Sequence, residues 1–211
     1  MDSYISDAVI RRLPRYRRYL KKLSGQGVQR ISSKELGSIM DVTASQIRQD
    51  LNHFGGFGQQ GYGYGVEDLS LKLEEIMGLD RTYNIGVVGC GRLGQAIISY
   101  LANNEPCYKL AGLCDNRADM VGTEINGVKV EDKASFKETM KKGIDILIIT
   151  APARIAEEVA GDIEGTEIKG IWNFGMTEFH IKGVKVINVH LSDSLHALSF
   201  MIKSMSEEGR D

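Results

Sequence analysis

Apolar side chains at Ile5, Val9, Leu13, Tyr16, Leu20 and Leu23 recur at helical spacing and predict an amphipathic helix over residues 5–24. Pro14 lies inside it and either kinks the helix or starts its longer half, and the stretch from Gly25 to Gly27 ends it. Ser32 with Glu35 three residues on has the spacing of a capping box, and Leu36, Ile39 and Met40 give a short second helix its apolar face. A turn at Asp41 and Val42 follows. Thr43 with Gln46 repeats the cap signature and opens a third helix to about Phe54, with Ile47, Leu51 and Phe54 turned inward. Two short helices joined by a tight turn make a helix-turn-helix.

Between Gly55 and Gly65 glycines alternate with Phe57, Tyr62 and Tyr64, a composition that rejects a helix and suits a tight two-stranded hairpin, the wing of a winged helix. Residues 67–78 read as a further helix and Leu79 to Tyr83 as a hinge. From Asn84 the pattern changes. Short β-branched runs near Ile85–Val88, Lys109–Cys114, Val128–Val130, Ile144–Ile149, Gly170–Phe174 and Val184–Val189 alternate with helical segments. Such a βαβ series predicts an α/β fold with a Rossmann-like, doubly wound parallel sheet. The last segment, about Ser194 to Ser206, is a helix striped by Leu195, Leu198, Ile202 and Met205, with no obvious partner in its own sheet. The expected organisation is a winged-helix domain over 1–80, a Rossmann domain over 81–190 and a C-terminal helix over 191–211.

Charge sharpens this division. The formal net charge is −2, yet residues 8–34 carry Arg11, Arg12, Arg15, Arg17, Arg18, Lys21, Lys22, Arg30 and Lys34 and no acid. A basic stretch on a helix-turn-helix points to nucleic acid. On the third helix, Ser45, Gln46, Arg48, Gln49, Asn52 and His53 form the expected outer face, where Gln can bond adenine and Arg can bond guanine or phosphate in the major groove. Arg12, Arg30 and Lys34 are expected on phosphates, and the wing, with Gly61 and Tyr62, in the minor groove or on the backbone.

The second half carries a nucleotide signature. Gly89-Cys90-Gly91-Arg92-Leu93-Gly94 is a G-x-G-x-x-G run placed directly after a strand and before a helix, where the glycines permit a tight turn and close approach to a pyrophosphate. Asp115 ends the next strand, where an acid accepts ribose hydroxyls and disfavours a 2′-phosphate, so NAD(H) is expected over its phosphorylated form, with Arg117 nearby as the counter-argument. Thr150, Ala151 and Pro152, and Asn173 with Phe174, follow the fourth and fifth strands and are placed at the nicotinamide half. Cys90 reads as a buried, inert thiol.

Other chemistries find less support. The three cysteines form no C-x-x-C pair and the four histidines no metal spacing, so neither a disulfide framework nor a metal site is expected. No apolar run approaches the ~20 residues of a membrane span, and a cytoplasmic protein is expected. An NAD-dependent oxidoreductase is disfavoured because no Tyr-x-x-x-Lys or His-carboxylate pair stands beside the nicotinamide loops. A repressor of the same build answering to coenzyme A or another nucleotide stays as the alternative.

The chain resembles the Rex redox-sensing transcriptional repressors over nearly its whole length. The resemblance is carried by Arg12-Leu13-Pro14, Arg30-Ile31-Ser32-Ser33, Gln46-Ile47-Arg48 with Asp50-Leu51, Gly61-Tyr62-Gly63-Tyr64, the Gly89 to Gly94 loop, Asn173-Phe174 and Leu198-Ser199-Phe200. It implies a homodimer that binds operator DNA when NADH is scarce and leaves it when NADH binds, with the C-terminal helix exchanged between subunits. It also implies switch residues: Arg18 pairs across the dimer with an acid after the sixth strand, and Tyr100 takes part. Here His190 stands in that acid's place, Gln49 replaces the usual Lys, Asn52-His53 replaces a Ser-Tyr pair, and Gln59-Gln60 lacks a basic residue. His190 implies a switch that is rewired or made pH-sensitive, and the other departures imply a different operator sequence or DNA affinity.

Overall fold

The computed structural model describes residues 5–57, 62–141, 143–178 and 180–208. The chain divides into two compact units, Met1–Arg81 and Thr82–Asp211.

In the first unit, α1 (Asp7–Gly25) runs unbroken through Pro14. Proline removes one backbone donor, but Val9, Leu13, Tyr16 and Leu20 bury a continuous stripe that outweighs the loss. Glu74 of α4 (Val66–Ile76) receives Arg17 Nε and Lys21 Nζ, each at 2.8 Å, and ties α4 to α1. Helix α2 (Ser33–Met40) begins with a complete capping box between Ser32 and Glu35. It ends at Asp41 in the left-handed region, φ 54°. Helix α3 (Ala44–Asn52) starts three residues later, and this close turn requires Gly37, where a Cβ would lie 2.6 Å from the Val42 carbonyl oxygen.

Three local expectations change. Ile39 is exposed rather than packed, because Leu36, Gly37 and Met40 already fill the inner face of α2. Thr43 accepts the Gln46 N–H, but the Gln46 amide turns to Asp50, so the second box is half formed. The wing does not close on itself among the described residues. Its strand β2 (Tyr64–Gly65) pairs antiparallel with β1 (Arg30–Ile31), which precedes α2. Gly63, φ 69°, allows this approach, since a Cβ there would sit 2.5 Å from the Ile31 carbonyl oxygen.

The second unit is a seven-stranded sheet in the order β5-β6-β4-β3-β7-β8-β9. Its strands are β3 (Tyr83–Val88), β4 (Tyr108–Cys114), β5 (Glu124–Ile125), β6 (Val128–Glu131), β7 (Ile146–Ile149), β8 (Gly170–Asn173) and β9 (Lys185–Asn188), with helices α5 (Arg92–Asn104), α6 (Lys133–Met140) and α7 (Ala153–Gly161) in the crossovers. All pairings are parallel except β5 with β6. That edge hairpin was not expected from the sequence, although Asn126 (φ 49°) and Gly127 (φ 80°) have the turn chemistry that makes one. The strand order reverses direction at β3, flanked by β4 and β7, which opens a crevice at the carboxyl ends of the strands.

Helix α8 (Leu191–Glu208) leaves its apolar stripe uncovered: Leu191, Leu195, Leu198, Ile202 and Met205 are all at least half exposed. No helix among the described residues is long and apolar enough to cross a membrane.

Candidate cofactor crevice and nucleic-acid interface

The three glycines of the loop after β3 do two different jobs. Gly89 has φ 94°, and a Cβ on it would meet the Ala151 nitrogen at 2.8 Å. Gly94 lies against the same turn, where a Cβ would come within 2.1 Å of the Gly89 carbonyl oxygen. Gly91 faces open space, with nothing within 4 Å of where its Cβ would be. Gly89 and Gly94 therefore build the turn, and Gly91 keeps room for a ligand at the N-terminus of α5, where no side chain caps the first amides. The residues present fit a dinucleotide pyrophosphate.

Asp115 is almost fully buried at the end of β4. Its Oδ2 accepts the Cys90 N–H at 2.7 Å and its Oδ1 the Arg117 N–H at 2.9 Å, so the carboxylate fixes the loop and keeps lone pairs for a ribose. Arg117 points its guanidinium at Asp119 instead, with Nη2 to Oδ2 at 2.9 Å. Thr150 donates its hydroxyl to the Gly89 carbonyl at 2.6 Å, Ala151 is buried beside it, and Pro152 precedes α7. Arg92 is exposed and Leu93 half-buried at the start of α5, and Tyr100 further along it is exposed.

Asn173 departs from its expected place. It is fully buried, its Nδ2 donates to Thr177 O and Asn188 Oδ1, and its Oδ1 accepts the Gly175 N–H. That amide is engaged in holding the loop after β8, so it shapes the crevice and leaves ligand contact to its neighbours. Phe174 is half-buried and packs edge-on against Trp172 at 4.6 Å between ring centroids.

Burial pushes the Cys90 thiol up to about 11, with the nearby Asp115 charge adding to it, and pushes Cys114 up to about 12. Both thiols stay protonated near neutrality and react poorly. No group of three or more His, Cys, Asp or Glu residues that could hold a metal ion occurs among the described residues.

On the other unit, Ser45, Arg48, Gln49, Asn52 and His53 of the helix-turn-helix border an open concavity of about 530 Å³. All five are exposed. Arg48 Nη1 rests 3.0 Å from the Ser33 hydroxyl, which links the outer faces of α3 and α2. Arg30 braces the wing, donating to the carbonyls of Tyr62 at 3.0 Å and Gly63 at 3.3 Å, while Lys34 is exposed and Tyr62 is the most open aromatic among the described residues of the unit. Gly61 lies outside the described residues.

Two expected contacts are redirected. Gln46 is half-buried with its amide on Asp50, and Arg12 places Nε and Nη2 on the two Asp50 oxygens at 2.6 and 2.9 Å, which leaves it little to offer a phosphate. In the sequence Asp50 stands out only as part of the family resemblance, with no role of its own. Its spacing held the clue: an acid three residues after Ile47 and one before Leu51 falls on the buried stripe and requires a partner.

Arg18 is exposed with its guanidinium 5.8 Å from the Tyr19 ring centroid. His190 is half-buried, and its Nε2 lies 3.2 Å from Glu178 Oε1. The sequence reading did not single out Glu178, which places a carboxylate beside position 190 after all.

Known proteins resemble this chain in both halves. A family profile described as "Putative DNA-binding protein N-terminus" matches residues 4–52, and one described as "CoA binding domain" matches residues 80–177. The redox-sensing transcriptional repressor Rex of Clostridioides difficile (strain 630) is 48% identical over 201 residues, covering 94% of this chain and 96% of its own. That of Caldicellulosiruptor bescii is 48% identical over 200 residues, covering 94% and 92%. Among solved structures, RSP in complex with β-NAD+ and operator DNA superposes with a TM-score of 0.89 at 44% identity, covering 99% of this chain and 97% of that one. RSP in complex with β-NADH gives 0.89 at 42% identity, covering 99% of each.

Proposed function

Because this chain belongs to the Rex family of redox-sensing transcriptional repressors, we propose that it is a homodimeric repressor that holds operator DNA while NADH is scarce and releases it when NADH fills the crevice above Gly89 to Gly94. One observation carries the reading: a loop with an open cradle at Gly91 and a buried Asp115 shares a chain with a capped helix-turn-helix whose outer face is polar and exposed. The relatives whose structures hold β-NAD+ with operator DNA, and β-NADH, support it.

NADH and NAD+ differ by one charge and by the planarity of the nicotinamide ring. A ligand shifts an equilibrium only through unequal affinity for its two states, so the crevice must bind the two forms differently in two dimer arrangements. Gly89, Gly91 and Gly94 with the amides of α5 take the pyrophosphate, Asp115 takes the adenosine ribose, and Thr150 to Pro152 with Phe174 border the nicotinamide. When bound, the cofactor supplies only a signal; the residues bind and orient it. Ser45, Arg48, Gln49, Asn52 and His53 read the major groove, with Lys34, Arg30 and the wing on the backbone.

The apolar stripe of α8 is the proposed exchange surface between subunits, since an 18-residue helix with this much uncovered apolar side chain needs a partner. Arg18, Tyr100 and the His190–Glu178 pair are the proposed switch. The protein acts as a regulator rather than an enzyme, in the cytoplasm where operator and nicotinamide pool meet. A gel shift with a palindromic operator, titrated separately with NADH, NAD+ and coenzyme A, tests the reading: release by NADH alone supports it, retention at saturating NADH refutes the sensing half, and release by coenzyme A alone favours the other nucleotide.

A further inference from the structure

Asp50 is wholly buried on α3 and accepts four hydrogen bonds: from Arg12 Nε at 2.6 Å, Arg12 Nη2 at 2.9 Å, the Tyr16 hydroxyl at 2.6 Å and Gln46 Nε2 at 2.7 Å. A carboxylate offers about four acceptor sites, so this one is saturated by its own fold. It can touch no DNA. A buried ion pair adds little net stability over an apolar pair of the same size, although breaking it is costly, so its worth lies in geometry. The apolar side chains of Ile47 and Leu51 hold α3 against the core, and the planar fork of Arg12 on both oxygens of Asp50 adds a directional constraint on its rotation.

We infer that Asp50 is the positioning residue of the DNA reader, locking α3 to α1 through Arg12 and Tyr16, and that Gln46 is withdrawn from base contact to complete this lock. The inference rests on the DNA-reading role proposed above. One of the two Nε2 hydrogens of Gln46 is given to Asp50, which is wholly buried, and this tether turns the half-buried amide toward the interior of the unit, away from a base edge. Base discrimination then falls to Ser45, Arg48, Gln49, Asn52 and His53, whose placement to within about half an ångström depends on how α3 is held.

The test uses the full-length protein and fluorescence anisotropy with an operator duplex, its single base-pair variants and a scrambled duplex. If the unmodified protein does not prefer operator to scrambled DNA, the DNA-reading role itself fails before any variant is made. Given that preference, Gln46→Ala is expected to keep the same preferred base at every operator position and to bind within about threefold of the unmodified protein; a changed preference at any position overturns the inference for Gln46. Asp50→Asn is expected to lower the operator-to-scrambled ratio by about tenfold or more, while binding to scrambled DNA at low salt and the NADH titration stay within about threefold. An unaltered ratio overturns the positioning role. Should Asp50→Asn fail to fold, Arg12→Gln removes the fork at a quarter-exposed site and leaves Tyr16 and Gln46 on Asp50; the same fall in ratio is expected, and its absence overturns the inference.

Discussion

Among the described residues each unit buries one aspartate, and the two are held in opposite ways. Asp50 is surrounded by side chains, one of them a guanidinium, and every acceptor site is filled. Asp115 is held by two backbone amides, Cys90 N–H and Arg117 N–H, and keeps acceptor capacity toward the crevice. A saturated carboxylate can only position its neighbours. One anchored by backbone alone is fixed in place yet still able to bond a ligand, which is what a sensor needs and a scaffold does not. On the proposed reading, the first unit uses its buried charge to stay rigid and the second uses its own to respond.

The glycine loop sharpens the contrast most strongly. Gly94→Ala places a Cβ against the Gly89 carbonyl and is expected to lower NADH affinity by about 100-fold, equivalent to about 2.7 kcal/mol, and to lower Tm as well. Gly91→Ala meets open space, so Tm should hold while NADH affinity, read by fluorescence titration, still falls. Equal effects of the two on Tm would break the assignment of turn to one glycine and cradle to the other.

The aspartates come next. Asp50→Ala should destabilise the first unit by about 3–5 kcal/mol in denaturant unfolding because it leaves Arg12 without its partner, whereas Asp115→Ala should cost less stability and act mainly on NADH binding. Acid separates them further. Burial raises the Asp50 carboxyl, but the bonds from Arg12, Tyr16 and Gln46 outweigh it and hold it below the ordinary carboxylate range. A group lowered on folding contributes stability that is full above its unfolded value of about 3.9 and is lost as pH falls through the folded value. The unfolding midpoint of the first unit should therefore drop below about pH 4, and Asp50→Asn should flatten that drop; an unchanged acid limb contradicts it.

Smaller effects test the reading face. Arg48→Ala is expected to cost about 1–3 kcal/mol on operator DNA and to relax preference at one base position. Lys34→Ala should weaken all duplexes alike and reduce the salt slope by about 1.

The crevice proposed as the sensing site was legible because a glycine turn after a strand and an acid at the end of the next are tied to fixed spacings, and Gly89, Gly91, Gly94 and Asp115 do come together there. The order of helices in the first unit was equally legible from its caps at Ser32 and Thr43. What escaped depends on long-range pairing. The wing strand meets Arg30–Ile31, more than thirty residues away, and Asp50 finds its cation on another helix. No local rule announces either. Outward-facing Gln46 and phosphate-bound Arg12 followed from residue type alone, and burial of a single acid reversed both. Asn173, expected at the ligand, was drawn into the sheet edge by Asn188, fifteen residues on. The edge hairpin at Asn126-Gly127 was legible and overlooked.

The most direct test follows a preformed operator complex by anisotropy while NADH, and separately NAD+, is added, with the fluorescence of the reduced nicotinamide reporting NADH occupancy and its displacement by NAD+ reporting that of the oxidised form. The complex should dissociate as NADH occupancy rises and persist through NAD+ saturation. A complex that stays intact with every crevice filled by NADH would contradict the coupling between the two units on which the account depends.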